Sequence, residues 1–388
     1  MKPAPFHDPL IVPLPEGGFL GLSTDLRVPG VQTRYSGDLL DWGEPFPLLG
    51  EAPASVTRHT GVNRFWAPEL VRRGDKWRLY VCASRFGTTQ SVIGLAEADE
   101  IRGPYRYQGD VLQTLHTPRF DQANAIDPCV VDGRDGRDYL IYGSFFGGIH
   151  ILPLREDGFP AEYGEGALIA GGGHQAVEGA YCFYHEPSAR FVLFTSWGSL
   201  RWDYHIRVGY SERVTGPYLD SNGFPLTDRD PVHTPGDKLA GGYHFGLPGV
   251  PEVMAPGHNS LLRLGEALYV VHHARPEGDE RRPFLQIRRL FFGEDGRAMA
   301  WPLTYTGEAL TAPDAAPARW RLVYLSRLNH GVVYGVSLSA EEAGARLEGD
   351  RIEMTCFHKT WHGYAARQGE RIACTLLSED GEALWGIA

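Results

Sequence analysis

No run of ~18 apolar residues occurs in this chain of 388, so no stretch of it reads as a membrane-spanning helix. Blocks of lysine and arginine are missing too. The formal net charge is −11, which argues against nucleic acid as a partner. A neutral ligand suits such a charge, as do many others. Cysteine is scarce: five residues, widely spaced, none in a Cys-x-x-Cys pair, which argues against a zinc or redox motif. Cys82, Cys129 and Cys182 fall in apolar runs and read as buried thiols. The start, Met-Lys-Pro-Ala-Pro-Phe-His-Asp, lacks the apolar core of a signal peptide. The expected location is therefore cytoplasmic, unless a leader has been removed. Helical periodicity is nearly absent.

What the chain does have is glycine, 48 of 388 residues against a usual ~7%, together with 28 prolines. Many turns imply many short strands. The runs 19–22, 77–83, 139–145, 191–197 and 267–273 are short, aromatic or aliphatic, and bounded by glycines or charged turns. Each follows a distinctive motif: Asp8-Pro9, Trp66-Ala67-Pro68-Glu69, Asp127-Pro128, Glu178-Gly179 and Gly257-His258-Asn259-Ser260. A later strand also recurs, with Ile93 leading to Gly103-Pro104-Tyr105 and Ile206 to Gly216-Pro217-Tyr218. A repeat of this kind, with several strands per unit, is a propeller blade. Five motifs predict an all-β, five-bladed β-propeller, with a catalytic domain over residues 1–308. A β-sandwich with accidental repeats is the bland alternative. Residues 312–318, rich in Ala and Pro, read as a linker. Residues 319–388 then form a small β-barrel-like domain, with strands expected at 321–325, 331–338, 351–357 and 371–377.

Three isolated carboxylates open β units: Asp8, Asp127 and Glu178. Pro128 is expected to hold Asp127 extended. The innermost strands of propeller blades line one central channel, so these acids would converge on one mouth. Glycosidic hydrolysis needs a protonated acid at the leaving oxygen and a carboxylate to activate water or attack carbon. A third acid can keep the proton donor's pKa high, because neighbouring like charges resist joint ionisation. Each acid alone reads more readily as a turn residue; three in register favour a site. Trp66, Phe86 and Phe146 could be core aromatics or, at the channel mouth, platforms for sugar faces. Gly87 stands beside Phe86. Asn124 and Ser144 flank Asp127 and suit sugar hydroxyls. His258, by itself, reads as a hydrogen-bonded turn residue.

These motifs carry a family resemblance. His7-Asp8-Pro9, Phe65-Trp66-Ala67-Pro68-Glu69, Asn124-Ala125-Ile126-Asp127-Pro128, Val177-Glu178-Gly179-Ala180-Tyr181 and Ala255-Pro256-Gly257-His258-Asn259-Ser260 resemble glycoside hydrolase family 43. The likeness is greatest to its two-domain endo-1,5-α-L-arabinanases and spans nearly the whole chain. The resemblance implies an inverting mechanism on arabinan or arabino-oligosaccharides. It implies Asp8 as general base, Asp127 as pKa modulator and Glu178 as general acid. It also implies that His258 lies on the propeller axis and helps hold a metal, often calcium, largely through water. This chain departs from the family pattern at Glu69, Phe146 and Gly179-Ala180, which bears on the sugar subsites rather than the reaction type. Three alternatives follow. One is an exo-acting arabinofuranosidase or β-xylosidase of the same family. Another is a fructan hydrolase suggested by Arg229-Asp230-Pro231, set aside because no Glu-Cys pair occurs. The last is a non-catalytic sugar-binding propeller.

Overall fold

The computed structural model describes residues 4–24, 26–116, 121–230 and 232–388. Residues 1–3 of the expected propeller domain and Pro231 of the Arg229-Asp230-Pro231 run lie outside this set.

Among the described residues there are six sheets, and five of them are blades. The first blade runs Leu10–Pro13, Phe19–Ser23, Gln32–Ser36 and Phe46–Pro47. The second runs Glu69–Arg73, Lys76–Ser84, Ser91–Ala98 and Arg106–Thr114. The third runs Cys129–Asp132, Asp138–Tyr142, Ile149–Pro153 and Ala167–Ala170. The fourth runs Val177–His185, Arg190–Trp197, His205–Ser211 and Asp237–Ala240. The fifth is built on Val253–Leu264, Ala267–Pro276, Phe284–Phe292 and Ala298–Ala300, with Tyr243–His244 added beside its first strand. The first strands of successive blades touch around a ring, and the fifth touches the first. Residues before the first blade seal the ring. Leu285 N–H donates to the Ala4 carbonyl, and Ser260 Oγ donates to the Pro9 carbonyl.

Each expected apolar run is the second strand of a blade. These strands are covered on both faces by neighbouring blades, so Val192, Leu193, Phe194 and Thr195 are all wholly buried. A strand buried on both faces reads as a continuous apolar run rather than an alternation. The run at 139–145 overshoots. The strand ends at Tyr142, because Phe145 and Phe146 adopt φ of +52° and +29° and turn the chain. The seven-residue helix Ala54–Thr60 has no counterpart among the expected elements. All five cysteines are free and buried.

The remaining sheet is seven-stranded and curls around its own apolar core of Trp320, Met354, Trp361, Leu376 and Leu384. It contains Arg319–Leu325, Arg351–Cys356 and Arg371–Ser378, close to the expected positions, while the strand expected at 331–338 is split and only its second half, Val336–Ser339, belongs to this sheet. Its other strands are Arg346–Glu348, Lys359–Gln368 and Ala383–Ile387. This sheet is bound tightly to the propeller. Val333–Tyr334 pairs in parallel with Tyr243–His244 of the fifth blade. Trp385 and Ile387 share an apolar cluster with Tyr243 and Trp301. Arg327 reaches across to two wholly buried carboxylates, Asp220 at 2.6 Å and Asp237 at 2.9 Å.

Candidate active site

The ring of first strands places the acids. Asp8 and Asp127 each sit two residues before a first strand and before a proline. Glu178 and His258 lie inside first strands, where β-bulges break the register between Glu178 and Tyr181 and between Gly257 and Ser260. Bulges re-aim a side chain out of the regular alternation. The expectation that Pro128 holds Asp127 extended is overturned. Asp127 has φ +56°, Asp8 +55° and His258 +47°. Aspartate tolerates the left-handed region better than most residues, and tertiary contacts fix it there.

One cavity of about 790 Å³ is lined by all ten residues expected at the site: Asp8, Trp66, Phe86, Gly87, Asn124, Asp127, Ser144, Phe146, Glu178 and His258. Trp66 and Phe86 meet edge to face at 6.4 Å, with Phe86 81% exposed. Ser91 Oγ donates to Asn124 Oδ1 at 2.6 Å, which leaves the Asn124 amide NH₂ available to a ligand. Phe146 is buried and packs edge to face on His174 at 5.0 Å.

The surroundings of Asp8 keep it ionised. Thr24 Oγ1 donates to its Oδ2 at 2.5 Å, and His258 Nδ1 lies 3.1 Å from its Oδ1. Burial opposes ionisation, but the charge of His258 beside it holds Asp8 well below the usual carboxylate range. His258 is the cation here: burial would lower it, but Asp8, Asp127 and Glu178 raise it to about 9. His7 and His273 are both lowered, chiefly by burial, so they are neutral near pH 7. His273 Nδ1 accepts the Asp8 backbone N–H at 3.1 Å. Its proton is therefore on Nε2, and its 3.5 Å approach to Asp8 Oδ1 is not an ion pair.

Glu178 and Asp127 are shifted the other way. Burial raises Glu178, and the Ser144 hydroxyl and His258 oppose that rise. Ser144 Oγ donates to Glu178 Oε2 at 2.8 Å, which leaves Oε1 to carry a proton. Burial also pushes Asp127 up to about 7; His258 pulls it down, while Glu178 and then Asp8 push it up. Gly179 N–H donates to Asp127 Oδ2 at 3.1 Å. Gly179 has φ +56°, and a Cβ there would meet His258 at 3.0 Å, so glycine is what lets the acid strand pass the histidine. A Cβ on Gly257 would fall 2.1 Å from the Tyr204 ring, which stacks beside His273 at 5.9 Å. The buried Tyr204 hydroxyl lies beside Glu178 and Ser196, where it favours the ionised Glu178.

His7, Thr24, His273 and Tyr204 are cavity residues that sequence reasoning assigned no role. His7 stands in the Asp8 motif and His273 closes an expected strand, so both were visible as residues but not as neighbours of the base.

The donor set limits a cation at His258. Its Nδ1 faces Asp8 and its backbone N–H donates to Ser196 Oγ. Among the described residues, two clusters gather three ligand atoms within 4.8 Å: His7, Asp8, His273 and His244, Glu252, Glu277. Neither includes His258. The adjacent Asn259 has both amide atoms buried without a partner. A calcium ion bound directly by several protein oxygens does not fit these residues, and His258, its Nδ1 held by Asp8, would meet one only through water.

The profile described as Glycosyl hydrolases family 43 matches residues 3–297. An extracellular endo-α-(1→5)-L-arabinanase of Thermotoga petrophila is 32% identical over 278 residues, 64% of this chain and 59% of that protein. The aligned stretch thus spans less than two thirds of that relative's length. The extracellular endo-α-(1→5)-L-arabinanase 2 of Bacillus subtilis is 27% identical over 99% of this chain and 93% of its own. The crystal structure of an endo-1,5-α-L-arabinanase from Thermotoga petrophila superposes with a TM-score of 0.87 at 25% identity, covering 100% of this chain and 99% of that one.

Proposed function

The chain belongs to glycosyl hydrolases family 43, and on that premise we propose that it is an inverting hydrolase of α-1,5-linked L-arabinofuranosyl bonds in arabinan or arabino-oligosaccharides. The observation that supports the reaction is the division among the acids. Asp8 is held ionised while Glu178 and Asp127 are raised, all on one cavity. Two carboxyls pushed in opposite directions are an acid–base pair. The substrate reading rests on the arabinanase relatives.

In this scheme Asp8 takes a proton from a water that attacks the anomeric carbon. Glu178 gives its proton to the departing oxygen as the glycosidic bond breaks. Glu178 ends ionised and Asp8 protonated, and exchange with solvent restores both. Asp127 keeps the proton on Glu178 by resisting a second negative charge beside it. Trp66 and Phe86 offer faces to pentose rings, while Asn124 and Ser144 offer hydrogen bonds. Both bacterial relatives are extracellular by name, so the cytoplasmic expectation finds no support in them; an enzyme meeting its polymer outside the cell accords better with them.

The test is hydrolysis of linear arabinan, branched arabinan, arabino-oligosaccharides and aryl arabinofuranosides, with the anomer of the first-formed product read by NMR. An α-linked substrate should give the β-anomer first. Absence of activity on every arabinoside, or an α-anomer first, refutes the proposal. Product lengths separate endo from exo action.

The metal belongs to the same proposal. His258, through water, would hold a calcium ion that adds positive charge beside the three acids. A ligand of the folded state stabilises by mass action. Chelation should therefore lower the melting temperature and calcium should restore it. No change on chelation would remove the ion from the scheme.

A further inference from the structure

We propose that Arg201 and Trp202 form a subsite on the leaving-group side of the scissile bond, beyond the first leaving sugar. There Trp202 stacks on a neutral pentose and Arg201 donates to its hydroxyls. The inference rests on the arabinan reading above and adds residues that no motif singled out.

Both residues lie at the tip of the loop joining the second and third strands of the fourth blade, Arg190–Trp197 and His205–Ser211. The root of this loop is the immediate neighbour of the acid. Glu178 pairs with Ser196 and Val177 with Trp197, and Gly198 N–H donates to the Ala176 carbonyl at 2.9 Å. The loop is tied within itself. Ser199 N–H donates to Asp203 Oδ1 at 2.6 Å, and Trp202 N–H to the Ser199 carbonyl at 3.2 Å. From that tied base Arg201 and Trp202 are exposed, Trp202 by 57%, and both line the cavity that holds the three acids.

Glu178 protonates the departing oxygen, so the leaving sugar passes on its side of the cavity. The loop rooted on its cross-strand neighbour flanks that exit. Trp66 and Phe86 stand on the second blade, which does not adjoin the fourth, so Trp202 adds an aromatic face to the cavity from a different blade. Among the described residues that line the cavity, Arg201 is the only lysine or arginine. Its guanidinium makes no hydrogen bond or ion pair with any described residue. An anionic sugar is the obvious ligand for a free guanidinium, but it would enter a cavity with three carboxyls in a chain of net charge −11. Neutral hydroxyls take the same donors without that repulsion, and a ring face over indole adds contact area at little conformational cost.

The experiment compares kcat/KM on α-1,5-arabinohexaose and α-1,5-arabinobiose for the unaltered enzyme, Trp202→Ala, Trp202→Phe and Arg201→Ala. The disaccharide spans only the bond cleaved. The hexaose-to-biose ratio should fall about tenfold in Trp202→Ala, the factor given by ~1.4 kcal/mol of lost binding. It should fall several-fold in Arg201→Ala and recover largely in Trp202→Phe. A ratio unchanged in both alanine variants overturns the subsite while leaving the arabinan reading intact. No hydrolysis by the unaltered enzyme overturns the arabinan reading, and the pentose ligand with it. A reducing-end label on the hexaose reads the side: Trp202→Ala should move the cut toward the labelled end, and a shift the other way overturns the leaving-group placement.

Discussion

The Ser144 hydroxyl and the Asp127 carboxyl act on Glu178 with opposite signs, so removing each should move the same pH limb in opposite directions. Ser144 Oγ donates to Glu178 Oε2 at 2.8 Å, which favours the ionised acid. Ser144→Ala deletes a hydrogen bond to a charged group, worth ~1.5–3 kcal/mol. The neutral acid also loses a weaker bond, so the difference between the two protonation states is about one pKa unit, ~1.4 kcal/mol. Burial has already raised Glu178, and losing a partner of its charged form raises it further. The alkaline limb of kcat/KM, where the proton donor is lost, should move up by about one unit in Ser144→Ala. Asp127→Asn keeps the shape and removes the charge that resists a second ionisation in the coupled pair. Glu178 then titrates without that repulsion, and the limb should move down. The profile should be recorded on an arabino-oligosaccharide, because an aryl leaving group needs little protonation and would mask the limb. Movement of both variants in the same direction, or no movement beyond error in either, refutes the assignment of Glu178 as the acid tuned by these neighbours.

Asp8→Ala should lower kcat by ~10² or more on every substrate, activated or not, since the water loses its base; an aryl arabinofuranoside cleaved at the normal rate would contradict this. Glu178→Gln should cost much more on oligosaccharides than on aryl substrates, and equal losses would argue against a proton donor. Arg327→Ala leaves Asp220 and Asp237 buried without their cation and should destabilise the protein by ~3–5 kcal/mol in denaturant titration, with little change in KM.

The propeller was readable because a blade strand buried on both faces leaves a continuous apolar run, and such runs recur behind recognisable motifs. The C-terminal sheet was half readable. Lys359–Gln368 buries Trp361, Gly363 and Ala365 on one face, but two of the three are too small to mark a strand. Ala383–Ile387 follows an Asp-Gly turn and was not among the expected strands, yet it is an inner strand between Arg319–Leu325 and Arg371–Ser378. Within the site, the acids, Trp66, His7 and His258 stood in motifs, whereas Thr24 and His273 did not. Thr24 follows the Phe19–Ser23 strand of the first blade, and His273 lies in a strand of the fifth, which only closure of the ring brings to Asp8.

Local rules fail most clearly at the prolines. A residue before proline is steered away from the α region, yet Asp8, Asp127 and Ala255, each before a proline, all take φ of 50° to 56°. Asp8 and Asp127 take it at the heads of the first and third blades, and Ala255 inside the first strand of the fifth, three residues before His258. A non-glycine residue in such a conformation costs ~1–3 kcal/mol and persists only where its surroundings over-determine it. Here those surroundings are identifiable. Asp8 is fixed by His273, Thr24 and His258, and Asp127 by the Gly179 N–H. An extended backbone at the head of a first strand would leave its side chain in the ordinary alternation of the blade. The left-handed turn instead lifts the carboxylate out of that alternation and towards the axis, where neighbouring blades supply its partners. The strain and the site therefore have the same origin, and the proline that argued for an extended Asp127 marks the point where the turn hands over to the strand.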